Sequence, residues 1–159
     1  AATQLSKQKW SAVKLKSLNT DDSLNDKKDP YEPLKNFDNR ERDQIPKMAV
    51  GSVIKVDVDN THPLMFGYPK YYYSLLLNND LFDFIQEGGW NVGVIKKESQ
   101  LSGFVGYKLK PKLKNGLIFG VQDYGKGSIV YFAENVLFRN FWQNGKLMFC
   151  NALFLVGQR

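Results

Sequence analysis

The chain has 159 residues, 22 lysines and arginines against 16 acidic residues for a net charge of +6, and one cysteine. By the usual prior that is one domain, able to bury roughly 68–70% of its unfolded surface. A single cysteine excludes an intrachain disulfide, and no apolar run reaches the ~18–20 residues of a membrane-spanning helix.

Ala1–Gln4 lacks the basic, apolar and small-residue pattern of a signal peptide, so any export signal is expected to have been removed or to lie elsewhere. Leu5, Trp10, Val13, Leu15 and Leu18 among lysines predict a short amphipathic helix followed by an extended piece. Residues 19–33, dominated by Asn, Asp, Ser, Lys and Pro, read as a mobile loop. Asp38–Asp43 predicts exposed helical turns capped by Asp38 and ended by Pro46. Two regions follow from this, an N-terminal helix and polar segment over 1–45 and a packed core over 46–159.

Regular structure begins with Val50–Asp59, where Val and Ile alternate with Ser, Lys and Asp as in a half-buried strand. A turn carries the only histidine, His62, and Tyr71–Leu77 reads as the next strand. Leu81–Ile85 is ambiguous between helix and strand, Trp90–Ile95 is a further strand, and the small residues of Leu101–Gly106 predict close packing. Leu117–Val121 and Ile129–Phe132 are apolar runs separated by a Gly-rich turn, which is a hairpin signature. After them, Asn135 is placed as an N-cap, with a break at Asn144-Gly145 and a helix through Val156 that is apolar on most of its circumference. Such a helix is expected to be buried, with Cys150 a small hydrophobe inside it.

A basic balance raises the question of nucleic acid. The charges are dispersed, however, apart from Lys108, Lys110, Lys112 and Lys114. Period-2 spacing puts those four on one face of an extended edge segment opposite Leu109 and Leu113, where lysines discourage edge pairing. No nucleic-acid partner is expected.

His62 could act as a general base, but no second histidine or turn cysteine accompanies it, and a backbone-bonded turn residue is the plainer reading. Asp57 and Asp59 share a strand face near His62, yet zinc normally takes three or four ligands of better type, so no metal site is assigned. Gly125–Ser128 leads into a strand rather than a helix N-terminus, so it is a hairpin turn and not a phosphate loop. Among Tyr71–Tyr73, alternation sends Tyr72 one way and its neighbours the other. Glu134 and Arg139 flank the helix start, where an ion pair would fix the corner. His62, Tyr72, Glu134 and Arg139 are the candidate binding residues.

Val56–Tyr68, Gly89–Gly93, Leu101–Phe104, Gly127–Trp142 and Asn151–Phe154, in that order, closely resemble the C-terminal region of large bacterial zinc-carboxypeptidase-like proteins. The likeness spans about residues 40–157. It implies the C-terminal portion of a class I glutamine-amidotransferase-like α/β domain, an open flavodoxin-like sheet, strand-rich with a closing helix. It further implies that the zinc site lies in an upstream peptidase domain of the same polypeptide, outside this chain, and that the setting is periplasmic or extracellular. His62-Pro63 is similar to the His-Pro-Glu of glutamine amidotransferases except that Leu64 replaces the Glu. The chain is then expected to be a non-catalytic accessory domain that packs against the peptidase or positions its substrate. An upstream segment or a second copy of the chain would cover an apolar face left by the sheet. The alternatives are an independent peptide- or glycan-binding module of a cell-envelope protein, using the tyrosines and lysines, and an enzyme acting through His62.

Overall fold

The computed structural model describes residues 16, 31, 34, 36–49, 51–96, 99 and 101–157. The expected N-terminal amphipathic helix and almost all of the polar loop lie outside the described residues. At the start of the continuous part, 3-10 turns run over Phe37–Asn39 and Ile45–Lys47. The cap of the first is Asn36, whose side chain accepts from the Asp38 N–H, and not Asp38 itself.

Six strands follow: β1 Ser52–Val58, β2 Tyr71–Leu76, β3 Gly89–Ile95, β4 Leu101–Ser102, β5 Gly116–Tyr124 and β6 Gly127–Phe132. They form one sheet in the order β2-β1-β3-β5-β6, with β4 paired to the start of β1 and every pairing antiparallel. β1 meets β3 only through Asp57 and Val58, and its other end turns to β4. The two neighbours share one edge of β1, and the sheet curls there. The single α-helix among the described residues, α1 (Gln143–Phe154), closes the C-terminal end.

Alternation explains most of these strands. β1 buries every second residue, from Ser52 through Ile54 and Val56 to Val58. β2 does the same with Tyr72, Ser74 and Leu76. β5 differs: Gly116 through Val121 are all buried, as expected for a strand covered on both faces. Its pairing with β3 skips Val92 on one strand and Ile118 on the other, two β-bulges that reverse which side the following residues face. In consequence Ile118 and Phe119 both enter the main core, while Leu117 packs with Phe82, Ile85 and Tyr131 in a second cluster. Gly93 makes room for this arrangement, since a Cβ there would lie 2.5 Å from the Phe119 ring.

The core is organised by a run of edge-on aromatic contacts, Tyr68 to Tyr72 at 5.8 Å, Tyr72 to Phe119 at 5.2 Å and Phe119 to Phe132 at 5.9 Å. Trp142 joins it by donating its indole N–H to the Tyr72 hydroxyl at 3.2 Å. The hairpin turn places Gly125 at φ 58°, the first central position of a two-residue loop.

Three expectations are corrected here. The lysine segment is not an extended edge: Lys110 N–H bonds to Gly106 C=O and Leu113 N–H to Leu109 C=O, so residues 107–115 run in helix-like turns. Leu109 and Leu113 are buried there because they stand four apart on one side of those turns. The C-terminal helix is not capped by Asn135 and does not break at Asn144-Gly145, since both residues lie in its first turn. Gly145 is there for contact, because a Cβ would meet the Val136 carbonyl oxygen at 1.9 Å.

The third correction concerns burial. Only Gly145, Met148 and Asn151 of α1 are buried, and Cys150 is exposed rather than enclosed. Leu153 and Phe154 stand 62% and 64% exposed, with Leu147 and Phe149 also open. The main core lies instead between the curled sheet and the inner edge of this helix.

Candidate functional site

The site begins where β1 runs out. Asp59 N–H bonds to Val92 C=O at 2.8 Å, tying the turn after β1 to β3. The Asp59 carboxylate then accepts from the Thr61 N–H at 3.0 Å and the Thr61 hydroxyl at 2.6 Å, a side-chain turn of the kind short acidic residues favour. These two hydrogen bonds hold the Asp59 pKa below the usual carboxylate value. His62 closes the turn as the cap of a 3-10 turn over Pro63–Met65, its Nδ1 accepting from the Leu64 N–H at 3.1 Å. With Nδ1 so occupied, the neutral ring carries its proton on Nε2, a donor. Burial lowers the His62 pKa, with Asp59 acting weakly the other way, so the neutral ring prevails at physiological pH.

Leu64 and Met65, both fully buried, anchor this turn from below. α1 grips it from the side: the Asn151 side-chain amide donates to the carbonyl oxygens of Leu64 at 3.1 Å and Phe66 at 2.8 Å. The helix end is thereby brought against the turn.

The floor is supplied by strand register. Trp90 pairs with Val121, and Asp123 lies two residues beyond Val121 opposite Ser128. Alternation puts all four side chains on one face of the sheet. Together with Asp59, Thr61, His62, Pro63 and residues 155–157 they line an open cleft of about 430 Å³. That volume lies within the range of small-molecule sites. Trp90 is the largest group at the rim, 59% exposed, its ring tilted at 53° to that of His62 with centroids 6.3 Å apart.

Of the sequence candidates, only His62 lines this cleft. Tyr72 is a core ring, 2% exposed, with its hydroxyl bonded to Trp142 and its pKa pushed up to about 12 by burial. Tyr71 and Tyr73 are exposed and meet edge to face on the other surface of β2. The expected ion pair at the helix corner is not formed. Glu134 turns inward and accepts from the N–H groups of Leu77 and Asn78, whereas Arg139 is exposed over the Phe138 ring. Trp90, Asp123 and Ser128 were not singled out by the sequence, since nothing local marks a tryptophan of β3 as sharing a sheet face with a carboxylate of β5.

Chemically, the cleft offers an aromatic face, two carboxylates as acceptors, an imidazole N–H donor and the hydroxyls of Thr61 and Ser128. Among the described residues, no group of three or more His, Cys, Asp or Glu is arranged to hold a metal ion. No helix among them is long and apolar enough to cross a membrane. No protein family, curated protein or solved structure matches the chain.

Proposed function

We propose that the chain is a carbohydrate-binding module, with a sugar ring stacked on Trp90 and its hydroxyls held by Asp59, Asp123 and His62. The observation that carries this reading is the exposed indole of Trp90 beside His62 in a cleft lined by hydrogen-bonding groups. The exposed indole offers a flat apolar face, and a pyranose presents a matching apolar face together with polar edges. The two carboxylates accept from hydroxyls, and the His62 N–H donates to one. Calorimetric titration with oligosaccharides tests the reading: binding by the native chain that Trp90→Ala abolishes supports it, and equal affinity in both chains removes it.

A second reading concerns the setting. The resemblance would make this chain an accessory domain of an exported zinc-carboxypeptidase-like protein, holding glycan near the upstream catalytic domain. The open apolar side of α1, with Leu147, Leu153 and Phe154, supports a larger neighbour packing there. An amidotransferase-like core is built on mostly parallel strands, whereas every pairing here is antiparallel, so this reading rests on the accessory role and not on that architecture.

A further inference from the structure

Resting on the carbohydrate-binding reading, we propose that the cleft takes an N-acetylated amino sugar, with its ring on Trp90, its amide between Asp59 and His62 and its methyl group against Pro63, Leu155 and Val156. A plain hexose offers one hydroxyl where such a sugar offers an N–H, a carbonyl oxygen and a small apolar end. The lining supplies a partner for each of the three.

The first partner is an acceptor. Both hydrogen bonds from Thr61 go to Oδ1 of Asp59, so the turn is closed without Oδ2, and the residue is exposed. Oδ2 is the acceptor for the amide N–H. The second partner is a donor. Nδ1 of His62 accepts from the Leu64 N–H, which makes Nε2 the protonated nitrogen of the neutral ring, and that N–H donates to the amide carbonyl. Donor and acceptor belong to one turn, and Asn151 of α1 holds that turn by its Leu64 and Phe66 carbonyls. The pair is therefore set before a ligand arrives, which lowers the ordering cost of binding.

The third partner is an apolar seat. Pro63 follows His62 directly, and Leu155 and Val156 follow α1, whose contact through Asn151 brings them to the same side of the cleft. Leu155 is 38% exposed, and Val156 packs on the main core behind it. A methyl group placed there is withdrawn from water, a gain that a hydroxyl does not make. None of these partners requires a charge on the ligand.

The test titrates the native chain, by calorimetry at neutral pH, with an N-acetylglucosamine tetramer and with a glucose tetramer of the same linkage. The inference expects the acetylated tetramer to bind at least roughly tenfold tighter, because the glucose tetramer leaves one of the two polar partners and the seat unfilled. His62→Asn keeps a side-chain acceptor for the Leu64 N–H but withdraws the Nε2 donor, and should cut that advantage to within about threefold. Leu155→Ala leaves the turn untouched and should also reduce it. Equal binding of both tetramers by the native chain overturns the acetamido selection and leaves the carbohydrate reading in place. Binding of neither overturns both, and an advantage that persists undiminished in His62→Asn and Leu155→Ala alike overturns this assignment.

Discussion

The hydroxyl of Tyr68 stands between the carbonyl of Asn144 and the N–H of Met148, donating to the first at 2.6 Å and accepting from the second at 2.9 Å. Those two backbone groups are four apart, the pair that would close a turn of α1 directly. The phenol is inserted into the helix ladder and fixes the helix to the segment that carries His62. Tyr68→Phe removes this bridge and should destabilise the fold by about 1 kcal/mol, read from urea denaturation. Hydrogen exchange at the Met148 amide should rise in the same variant.

A second link closes the sheet at its far side. Glu134 is buried, with its carboxylate accepting from Leu77 N–H at 3.2 Å and Asn78 N–H at 3.4 Å. Burial outweighs these hydrogen bonds and raises its pKa from 4.5 to about 7. The folded state therefore binds the proton more tightly than the unfolded one. Stability from this group is complete below about pH 4.5 and is lost as pH rises through about 7, by roughly 3 kcal/mol in total. Glu134→Gln keeps an oxygen acceptor and removes the titration. Its unfolding free energy should be flat over that interval where the native chain declines, and a parallel decline in both would assign the pH dependence to another group.

Two glycines are required by contact. Gly93 lies under the Phe119 ring and Gly145 against the Val136 carbonyl, leaving no space for a methyl group at either place. Gly93→Ala and Gly145→Ala should each cost about 1–3 kcal/mol, because backbone or a core ring must shift. Gly127→Ala, whose Cβ would come no nearer than 3.9 Å to the Tyr124 carbonyl oxygen, should change stability by less than about 0.5 kcal/mol.

The outer side of α1 is apolar without being core. Replacing Leu153 and Phe154 by Glu should leave the unfolding free energy within about 0.5 kcal/mol of native, since both side chains are mostly in water. Binding of a dye specific for apolar surface should fall. A large loss of stability would show instead that these side chains are covered.

The strands were legible because their signal is local. The alternation of β1 and β2 and the paired apolar runs around Gly125 lie in consecutive residues, and the structure keeps them with boundaries moved by up to three residues. The helix was legible in kind but not in burial: its apolar residues point around the whole circumference, and only contact with Leu64 and Val136 decides which edge is inside. Reading Lys108–Lys114 as extended failed because a period of two in lysines coincides with a period of four in Leu109 and Leu113, and the leucines prevailed. The cleft was the least legible part. His62 could be seen as a turn residue, but Trp90 and Asp123 come to one face of the sheet only through the β3–β5 register, which no local signal in either strand specifies.

The most direct test of the account is a two-dimensional NMR titration of the intact chain with an oligosaccharide, following the indole N–H resonances. Trp90 lies open at the cleft, whereas Trp142 is committed to Tyr72, so the two rings report on different places. The account predicts a saturable shift of the Trp90 indole signal with that of Trp142 unmoved, accompanied by shifts at Asp59, His62 and Asp123. Saturable binding that leaves the Trp90 signal in place would contradict it.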